Sequence, residues 1–458
     1  VVQAPAAFKE AGPWVPAAPS APALTTNWWT LFGDTQLDEL EQKLQSNNPS
    51  LAAALSRYDE ARAYLEQARA GLFPHVGLTS DITDNRQSDH RPLRGANQPD
   101  LYPADTVGGE LGFELDLWGR VRNSVLAGKA ETEASADDLA AVRLSFEAQL
   151  ADSYVALRGY DQQAQLLSAT VDTYSQADAM TQRRFNGGIA SGIDIGRSGT
   201  QLAEAQAQLA DIQAARALTE HAIASLIGIN ASDFSITPNS GSVSLPNVPA
   251  ILPSALLQRR PDVAAAERRM AAANAEIGVA RAAFFPSISL SGQGGFQNTG
   301  LPSLFTAPNI FWSIGPTAIL NLFDGGRRRA QVAVTRANWE QATATYRQNV
   351  LRAFQEVEDN LAQLHHFGVE AEAEARAVQQ AGQTETLSLN RYTKGAVSYL
   401  DVVTAQTTAL RTRQQAIRLT TARLQASVHL IRALGGGWAA PKQQASGAAS
   451  RGMAAAHS

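Results

Sequence analysis

Cysteine is absent from the 458-residue chain, which excludes disulfides, thiolate metal sites and cysteine nucleophiles. A thiol-free chain fits an envelope protein. Charge is scarce, at 18 % of residues against roughly 25 % in an average soluble domain. The 38 basic and 43 acidic residues leave a net charge of −5, so no basic excess invites nucleic acid and no acidic tract forms a solvating tail. Val1–Gln3 opens without a basic and then apolar leader, as expected if a signal peptide is already removed or was never present. No spanning-helix signal occurs. Instead, 42 consecutive residues from Ala282 to Phe323 carry no charge and no histidine, yet hold Pro286, Pro302, Pro308, Pro316 and five glycines. Such a stretch is lipid-compatible but not helical, and in a bilayer that combination points to β-strands.

What is present is 44 % apolar residues, enough for a sizeable core, in a length that suggests two or three domains of about 150 residues each. Proline is missing between Ala104 and Thr237 and again between Thr317 and Ala440. Both gaps hold long runs of strong helix formers. In the first, apolar residues step by three and four through Leu139, Val142, Phe146, Leu150, Tyr154, Leu157, Tyr160, Ala164, Leu167, Val171 and Tyr174. The second repeats the stripe at Tyr346, Val350, Val357, Leu361, Leu364 and Phe367. A constant offset of 207 aligns the two runs down to Gly188 with Gly395, Ser191 with Ser398 and Asp194 with Asp401. Upstream, with insertions, Phe73-Pro74 matches Phe285-Pro286. The chain is a tandem duplication.

Each copy follows one plan: a helix ending at Phe-Pro, two strands, a very long helix, a Gly-containing turn and a last helix. The helices are expected at Ser50–Leu72, Arg122–Phe185 and Gly192–Ile227, and at Asp262–Phe284, Arg327–Tyr392 and Ser398–Leu434. The expected organisation is a Pro-rich strap and further segment over 1–49, a first repeat over 50–228, a spacer over 229–260, a second repeat over 261–435 and a tail over 436–458. At 1.5 Å per residue the long helix spans about 100 Å, and the two shorter helices together span roughly 90 Å. Two stacked short helices therefore match one long one. Such a helix needs coiled-coil or α-barrel neighbours. A solvated coiled-coil rod is the competing reading.

The strands weigh against the rod. Ile288, Leu290 and Phe296 alternate with Ser287, Ser289, Ser291, Gln293 and Gln297. Ile310, Trp312, Ile314, Ala318, Leu320 and Leu322 alternate with Ser313, Gly315, Thr317 and Asn321, with Phe311 and Ile319 blurring the pattern. In the first copy Val76, Leu78 and Ile82 oppose Gly77, Thr79, Asp81 and Thr83, while Val107, Leu111, Phe113, Leu115 and Leu117 oppose Gly108, Glu110, Gly112, Glu114 and Asp116. This is the pattern of membrane-barrel strands, with Trp118, Trp312 and Phe323 near strand ends where interfacial aromatics belong. A soluble sheet with one wet face alternates likewise. Four strands cannot close a channel, and an open edge in lipid leaves backbone groups unpaired. Two chains would give eight strands around a filled interior; three would give twelve and room for a lumen, the smallest assembly that conducts, and four chains satisfy the same count.

Several motifs in this order resemble the TolC-like outer membrane factors, in particular the lipoprotein branch (NodT/OprM-like) serving RND-type efflux pumps. They are Asn27-Trp28-Trp29-Thr30-Leu31-Phe32-Gly33-Asp34, Leu111 to Arg120 (LGFELDLWGR), Leu256 to Asp262 (LLQRRPD), Ala280 to Pro286 (ARAAFFP) and Leu322 to Arg329 (LFDGGRRR). The resemblance covers nearly the whole chain. It implies a mainly α fold with a membrane β-barrel: a homotrimer with a 12-stranded barrel in outer-membrane lipid above a periplasmic α-barrel. The N-terminal, spacer and C-terminal segments would form an equatorial belt, the tail being equatorial or disordered. Implied partners are a periplasmic adaptor and an inner-membrane RND-type transporter, with no cofactor and no nucleic acid. Relatives usually begin with an acylated cysteine, so either the numbering starts after that residue or the anchor was lost. The start, with Pro5, Pro13, Pro16, Pro19 and Pro22, suits an extended strap.

Enzyme readings find little support. His365 and His366 are adjacent and diverge by about 100° on a helix, so they cannot share a metal. Gly292-x-Gly294-Gly295 lies in a strand and cradles no phosphate. Arg327–Arg329 reads as a solvated junction, and Glu356 and Glu358 as exposed-face charges. No catalytic or metal-ligating residues are expected. The candidate residues are at the helix–turn–helix tips. Gly188, Ser191, Gly395 and Ser398 would form the tip turns and adaptor-docking ends. Asp401 would become a ring of three carboxylates at the tunnel's narrow end if three chains meet on an axis, as in the family; Thr404 sits where relatives often have a second acid. A plain helix N-terminal carboxylate is the competing reading for Asp401. Resemblance also implies a closing hydrogen bond between Tyr392 and Asp194. Val397 replaces an arginine found in some relatives, leaving Arg197 as a candidate substitute. Phe73-Pro74 and Phe285-Pro286 mark the helix-to-strand junctions. The expected function is a passive outer-membrane exit duct, and its main rival is a periplasmic coiled-coil scaffold or tether.

Overall fold

The structure, a computed structural model, describes residues 9, 26–88, 90, 99–241, 243–246 and 259–438. The Pro-rich start, Leu256 to Gln258 of the LLQRRPD motif and most of the tail lie outside them. Seven α-helices and four strands occur among the described residues, in the order α1 (Thr35–Asn47), α2 (Pro49–Ala70), β1 (His75–Arg86), β2 (Leu101–Glu114), α3 (Arg120–Asn186), α4 (Gly192–Leu226), α5 (Pro261–Ala282), β3 (Ser287–Asn298), β4 (Ile310–Ile319), α6 (Arg327–Thr393) and α7 (Tyr399–Ala433). Both copies of the expected plan are present. Helix α1 was not expected: Asp34 caps it by accepting from the Gln36 and Leu37 amides, and Leu37, Leu40 and Leu44 form its buried stripe. None of the described helices is long and apolar enough to cross a membrane.

Two compact units mix the two copies. One comprises 56–136 and 265–346 and holds the sheet, an antiparallel β1-β2-β3-β4 meander. Register follows from paired rungs: Val76 faces Leu111, Val107 faces Phe296, Phe113 faces Leu290, and Phe296 faces Ile310. These rungs put Val76, Leu78, Ile82, Val107, Leu111, Phe113, Ile288, Leu290, Phe296, Ile310, Trp312 and Ile314 on one face, as the alternation predicts. Thr79, Asp81, Glu110, Ser289, Ser291, Gln293, Ser313 and Thr317 share the other, joined by Phe311 and Ile319. Ser80 interrupts the apolar face in mid-strand, and Asp84, Arg86, Asp105 and Asn298 interrupt it towards its loop end. That face is bare: Leu78 is 81 % exposed and Trp312 75 %. Strand β4 stops at Ile319, short of the expected Leu322, because its last rung is Ser287 and the next partner would be Pro286, which has no N–H. Glycine at 295 is required by close approach, since a Cβ there would meet the Val107 carbonyl at 2.2 Å.

Phe-Pro ends both short helices alike. The amides of Leu72 and Phe73 bond three residues back, to Arg69 and Ala70, and those of Phe284 and Phe285 to Arg281 and Ala282. Both long helices start on an aspartate. Asp116 accepts from the amides of Val121 and Arg122; Asp324 accepts from the amides of Gly326 and Arg328 and, at 2.6 Å, from the Arg328 guanidinium.

The other unit comprises 9–55, 137–264 and 347–438 within the described residues. Its core is the predicted stripe, with Leu150, Tyr154, Leu157 and Leu167 fully buried beside Trp28, Phe32, Ile223 and Ile227. Charges are also buried here. Arg158 bonds the Tyr154 hydroxyl, Asp161 at 3.0 Å and the side chain of Gln36; Asp161 also holds Arg216 at 2.6 Å; and the Tyr154 hydroxyl donates to Asp34 at 2.7 Å. This network ties the start of α1 to α3, α4 and the Ile236–Thr237 backbone. The duplication extends to contacts. Before α2 the Asn48 side chain donates to the Leu226 carbonyl at 2.7 Å, and before α5 Arg260 donates to the carbonyl of Ala433 at 3.2 Å, the two carbonyls lying 207 residues apart. Glu356 is not an exposed-face charge, because it pairs with the buried Arg260 at 2.7 Å. Glu358 accepts from the Lys9 amide at 2.7 Å.

Candidate functional site

The tips of the two helical hairpins, α3–α4 and α6–α7, lie in this second unit and are built alike. At the first, Gly188 adopts φ +76°; the Ile189 amide reaches back to the Arg184 carbonyl and the Gly188 amide to that of Phe185. At the second, Gly395 has φ +77°, and the amides of Ala396 and Gly395 bond Arg391 and Tyr392 in the same way. Each is a Schellman stop, for which a left-handed glycine is the favoured residue. The following helix then starts on a Ser-x-x-Asp box. The backbone N–H and hydroxyl of Ser191 donate to Asp194 at 3.0 and 2.8 Å, and those of Ser398 donate to Asp401 at 3.0 and 2.8 Å. Gly-x-x-Ser-x-x-Asp is therefore a complete reversal signal: stop, turn, restart.

Within one chain Asp401 acts as a capping carboxylate at a helix N-terminus, and it is exposed. Thr404, one turn on, is also exposed, its hydroxyl donating to the Leu400 carbonyl. The opposite side of α7 is buried through Tyr399, Val402, Ala405, Gln406 and Ala409. Asp401 and Thr404 thus share a face that the chain itself leaves bare.

The Tyr392–Asp194 bond is not formed within the chain. Asp194 is taken up by its own cap, and Tyr392 is buried against Tyr399, their rings 5.3 Å apart and tilted by 57°. What closes on Tyr392 is Arg184. Its guanidinium lies 4.6 Å from the ring centroid, and Nη1 donates to the Tyr392 carbonyl at 3.3 Å. Arg197 has no ion pair among the described residues. Met180, Leu389, Val397, Val402 and Val403 complete this apolar knot between the tips. Further along, Gln201 of α4 donates to Gln406 of α7 at 3.1 Å, both buried. Burial pushes the Tyr399 hydroxyl up to about 12, with Tyr392, Asp178 and Tyr174 adding to the shift. Tyr392 and the turn glycines were expected here; Arg184 and Tyr399 were not. The 207-residue offset could have exposed the arginine, since it matches Arg184-Phe185 with Arg391-Tyr392.

In the unit that holds the sheet, Phe73 and Phe285 are exposed beside Pro74 and Pro286. Trp118 stacks on Phe285 with centroids 4.6 Å apart, and its Nε1–H donates to the Pro286 carbonyl at 2.8 Å. With Phe323, which is 88 % exposed, these rings gather at the helix end of the sheet. Such a girdle is characteristic of a membrane interface.

Residues 40–229 and 252–436 match the family model described as outer membrane efflux protein, one match for each copy of the duplication. The chain belongs to the outer membrane efflux protein family. It is 32 % identical over 417 residues to the outer membrane protein OprJ of Pseudomonas aeruginosa, covering 90 % of this chain and 87 % of that protein. It is 30 % identical over 414 residues to the cation efflux system protein CusC of Escherichia coli, covering 90 % and 88 %. Its fold superposes on the crystal structure of the outer membrane protein VceC from Vibrio cholerae with a TM-score of 0.83 at 28 % identity, covering 90 % of this chain and 99 % of that one. The efflux protein is accordingly an outer-membrane channel, with a mainly helical chain and a four-stranded share of a β-barrel. The bare apolar face of its sheet has the chemistry that lipid requires.

Proposed function

We propose that this efflux protein works as a homotrimer, a passive exit duct opened when a periplasmic adaptor and an inner-membrane RND-type transporter engage its helical tips. The observation that carries the reading is the sheet. Strands β1 and β4 have no further strand beside them among the described residues, although one face is apolar and bare. Lipid does not tolerate such edges, and three chains close them into twelve strands wide enough for a lumen. In this reading the Asp401 carboxylates form a ring at the tunnel's narrow end with Thr404 one turn behind. The tip turns at Gly188, Ser191, Gly395 and Ser398 meet the adaptor. The described parts of 1–49, 229–260 and 436–458 belong to an equatorial belt, the rest of these segments lying outside the described residues, and a lipid anchor upstream of Val1 fits the family pattern. No catalytic step is assigned; the energy for transport comes from the inner-membrane partner.

Native mass spectrometry of the detergent-extracted protein tests the assembly, and adaptor co-purification tests the partnership. Three chains per particle, with adaptor retained, are expected. A monomer soluble without detergent contradicts the reading and favours the scaffold.

A further inference from the structure

The internal repeat bears on what meets the free side of each hairpin pair. Within the chain the two pairs are joined at their tips by Arg184 on Tyr392. Shifting by 207 residues turns Arg184 into Arg391 and Tyr392 into Phe185, so each copy carries an arginine followed by an aromatic at the same point of its tip. Only one of the two cross-pairs is made. Phe185 is 43 % exposed, and the Arg391 guanidinium, also exposed, has no hydrogen bond or ion pair among the described residues.

We propose that Arg391 lies over the Phe185 ring of a second copy of the chain, closing the ring of tips with the contact that Arg184 and Tyr392 make inside each copy. The inference rests on the trimeric reading above and adds a residue pair to it. A phenyl face attracts a guanidinium whether or not it bears a hydroxyl, so Phe for Tyr preserves the contact. A head-to-tail contact that closes on rotation is what a cyclic trimer needs. Other cross-pairs do not survive the shift. Gln201–Gln406 and Gln208–Gln414, each 3.1 Å within the chain, become Thr408 with Gly199 and Gln415 with Ala207. No atom comes within 4 Å of where a Cβ on Gly199 would stand. Each shifted pair loses at least one long amide to a small residue, leaving the arginine–aromatic pair as the retained link.

The cysteine-free chain makes the test direct. A tagged chain carrying only Phe185→Cys is co-produced with an untagged chain carrying only Arg391→Cys, and the extracted protein is treated with a short bis-maleimide. Covalent tagged–untagged pairs are expected, whereas separate Arg184→Cys and Tyr392→Cys chains stay unlinked. Particles of trimer mass whose Phe185→Cys and Arg391→Cys chains react with a single maleimide but never link overturn this contact and leave the trimer standing. Particles that are not trimers overturn the underlying reading first. Because cysteine removes the contact it reports, Arg391→Ala, Phe185→Leu and the double variant are also compared by the temperature at which the trimer dissociates. The double loss should fall short of the sum of the single losses, and strictly additive losses contradict the pairing.

Discussion

The guanidinium of Arg184, at the end of α3, rests 4.6 Å from the ring centroid of Tyr392, at the end of α6, and also donates to its backbone carbonyl at 3.3 Å. One side chain thus fastens one hairpin tip to the other. Its removal is the simplest way to loosen the tips. A cation–π contact at a partly exposed site is worth about 1 kcal/mol, which corresponds to roughly a fivefold shift in an open–closed ratio. Arg184→Ala is expected to lengthen open time by about that factor in single-channel records, with Arg184→Lys between the two. Asp194→Asn, by contrast, should leave the records unchanged, because Asp194 serves only its own helix cap within the chain.

The two roles of Asp401 are separable by chemistry. Asn keeps an oxygen able to accept from Ser398, so Asp401→Asn removes the charge and keeps the cap. Reversal potentials in a salt gradient should shift away from cation preference in Asp401→Asn. Ser398→Ala keeps the charge, so selectivity is retained while the tip loses about 1 kcal/mol of stability. Unaltered selectivity in Asp401→Asn would leave the carboxylate as a cap alone.

Much of this was legible in the sequence. Proline gaps and the 207-residue offset located the helices to within about two residues, and alternation gave the residues that share each face of the sheet. The tip motif was legible because stop, turn and cap are local: Gly188, Ser191 and Asp194 need only each other. Contacts between distant residues were harder to read. Arg158 has Tyr154 and Asp161 within a turn of it, but Gln36 and Thr237, which complete the set of partners that lets it be buried, lie far along the chain. Tyr392 was matched to Asp194 by family likeness, yet the local cap takes that carboxylate first and leaves the tyrosine face to Arg184. Helix α1 had its signal in Asp34, Leu37, Leu40 and Leu44, hidden behind the prolines that precede it.

A buried acid sets the response to pH. Burial holds the Glu41 carboxyl well above the usual carboxylate range; Glu147 and Asp38 push it further, and Arg143 opposes them. The folded chain therefore keeps a proton that the unfolded chain releases above about 4.5. The sign follows: stability from this group is fully present below that value and declines as pH rises towards the folded value, at about 1.4 kcal/mol per pH unit. Thermal unfolding of wild type should fall from pH 5 to 7, while Glu41→Gln, neutral throughout, should show a flatter profile and a higher midpoint at pH 7. Parallel profiles would remove Glu41 as the cause.

The junction clamps respond in the opposite sense. The Arg328 guanidinium holds Asp324 below the usual carboxylate range, aided by two backbone amides. Its contribution is present above pH 3.8 and is lost as pH falls through the lowered value. Protection of the Gly326 and Arg328 amides, taken relative to their intrinsic exchange at each pH, should therefore drop only in strong acid, and Asp324→Asn should abolish that acid-dependent step.

Recording single channels in a planar lipid bilayer decides whether copies of the chain enclose a lumen. Purified protein should insert as discrete, ohmic conductance steps, small while the tips are fastened and larger in Arg184→Ala. Protein that is folded and bilayer-bound yet passes no current in either form would contradict a lumen through a barrel shared between copies.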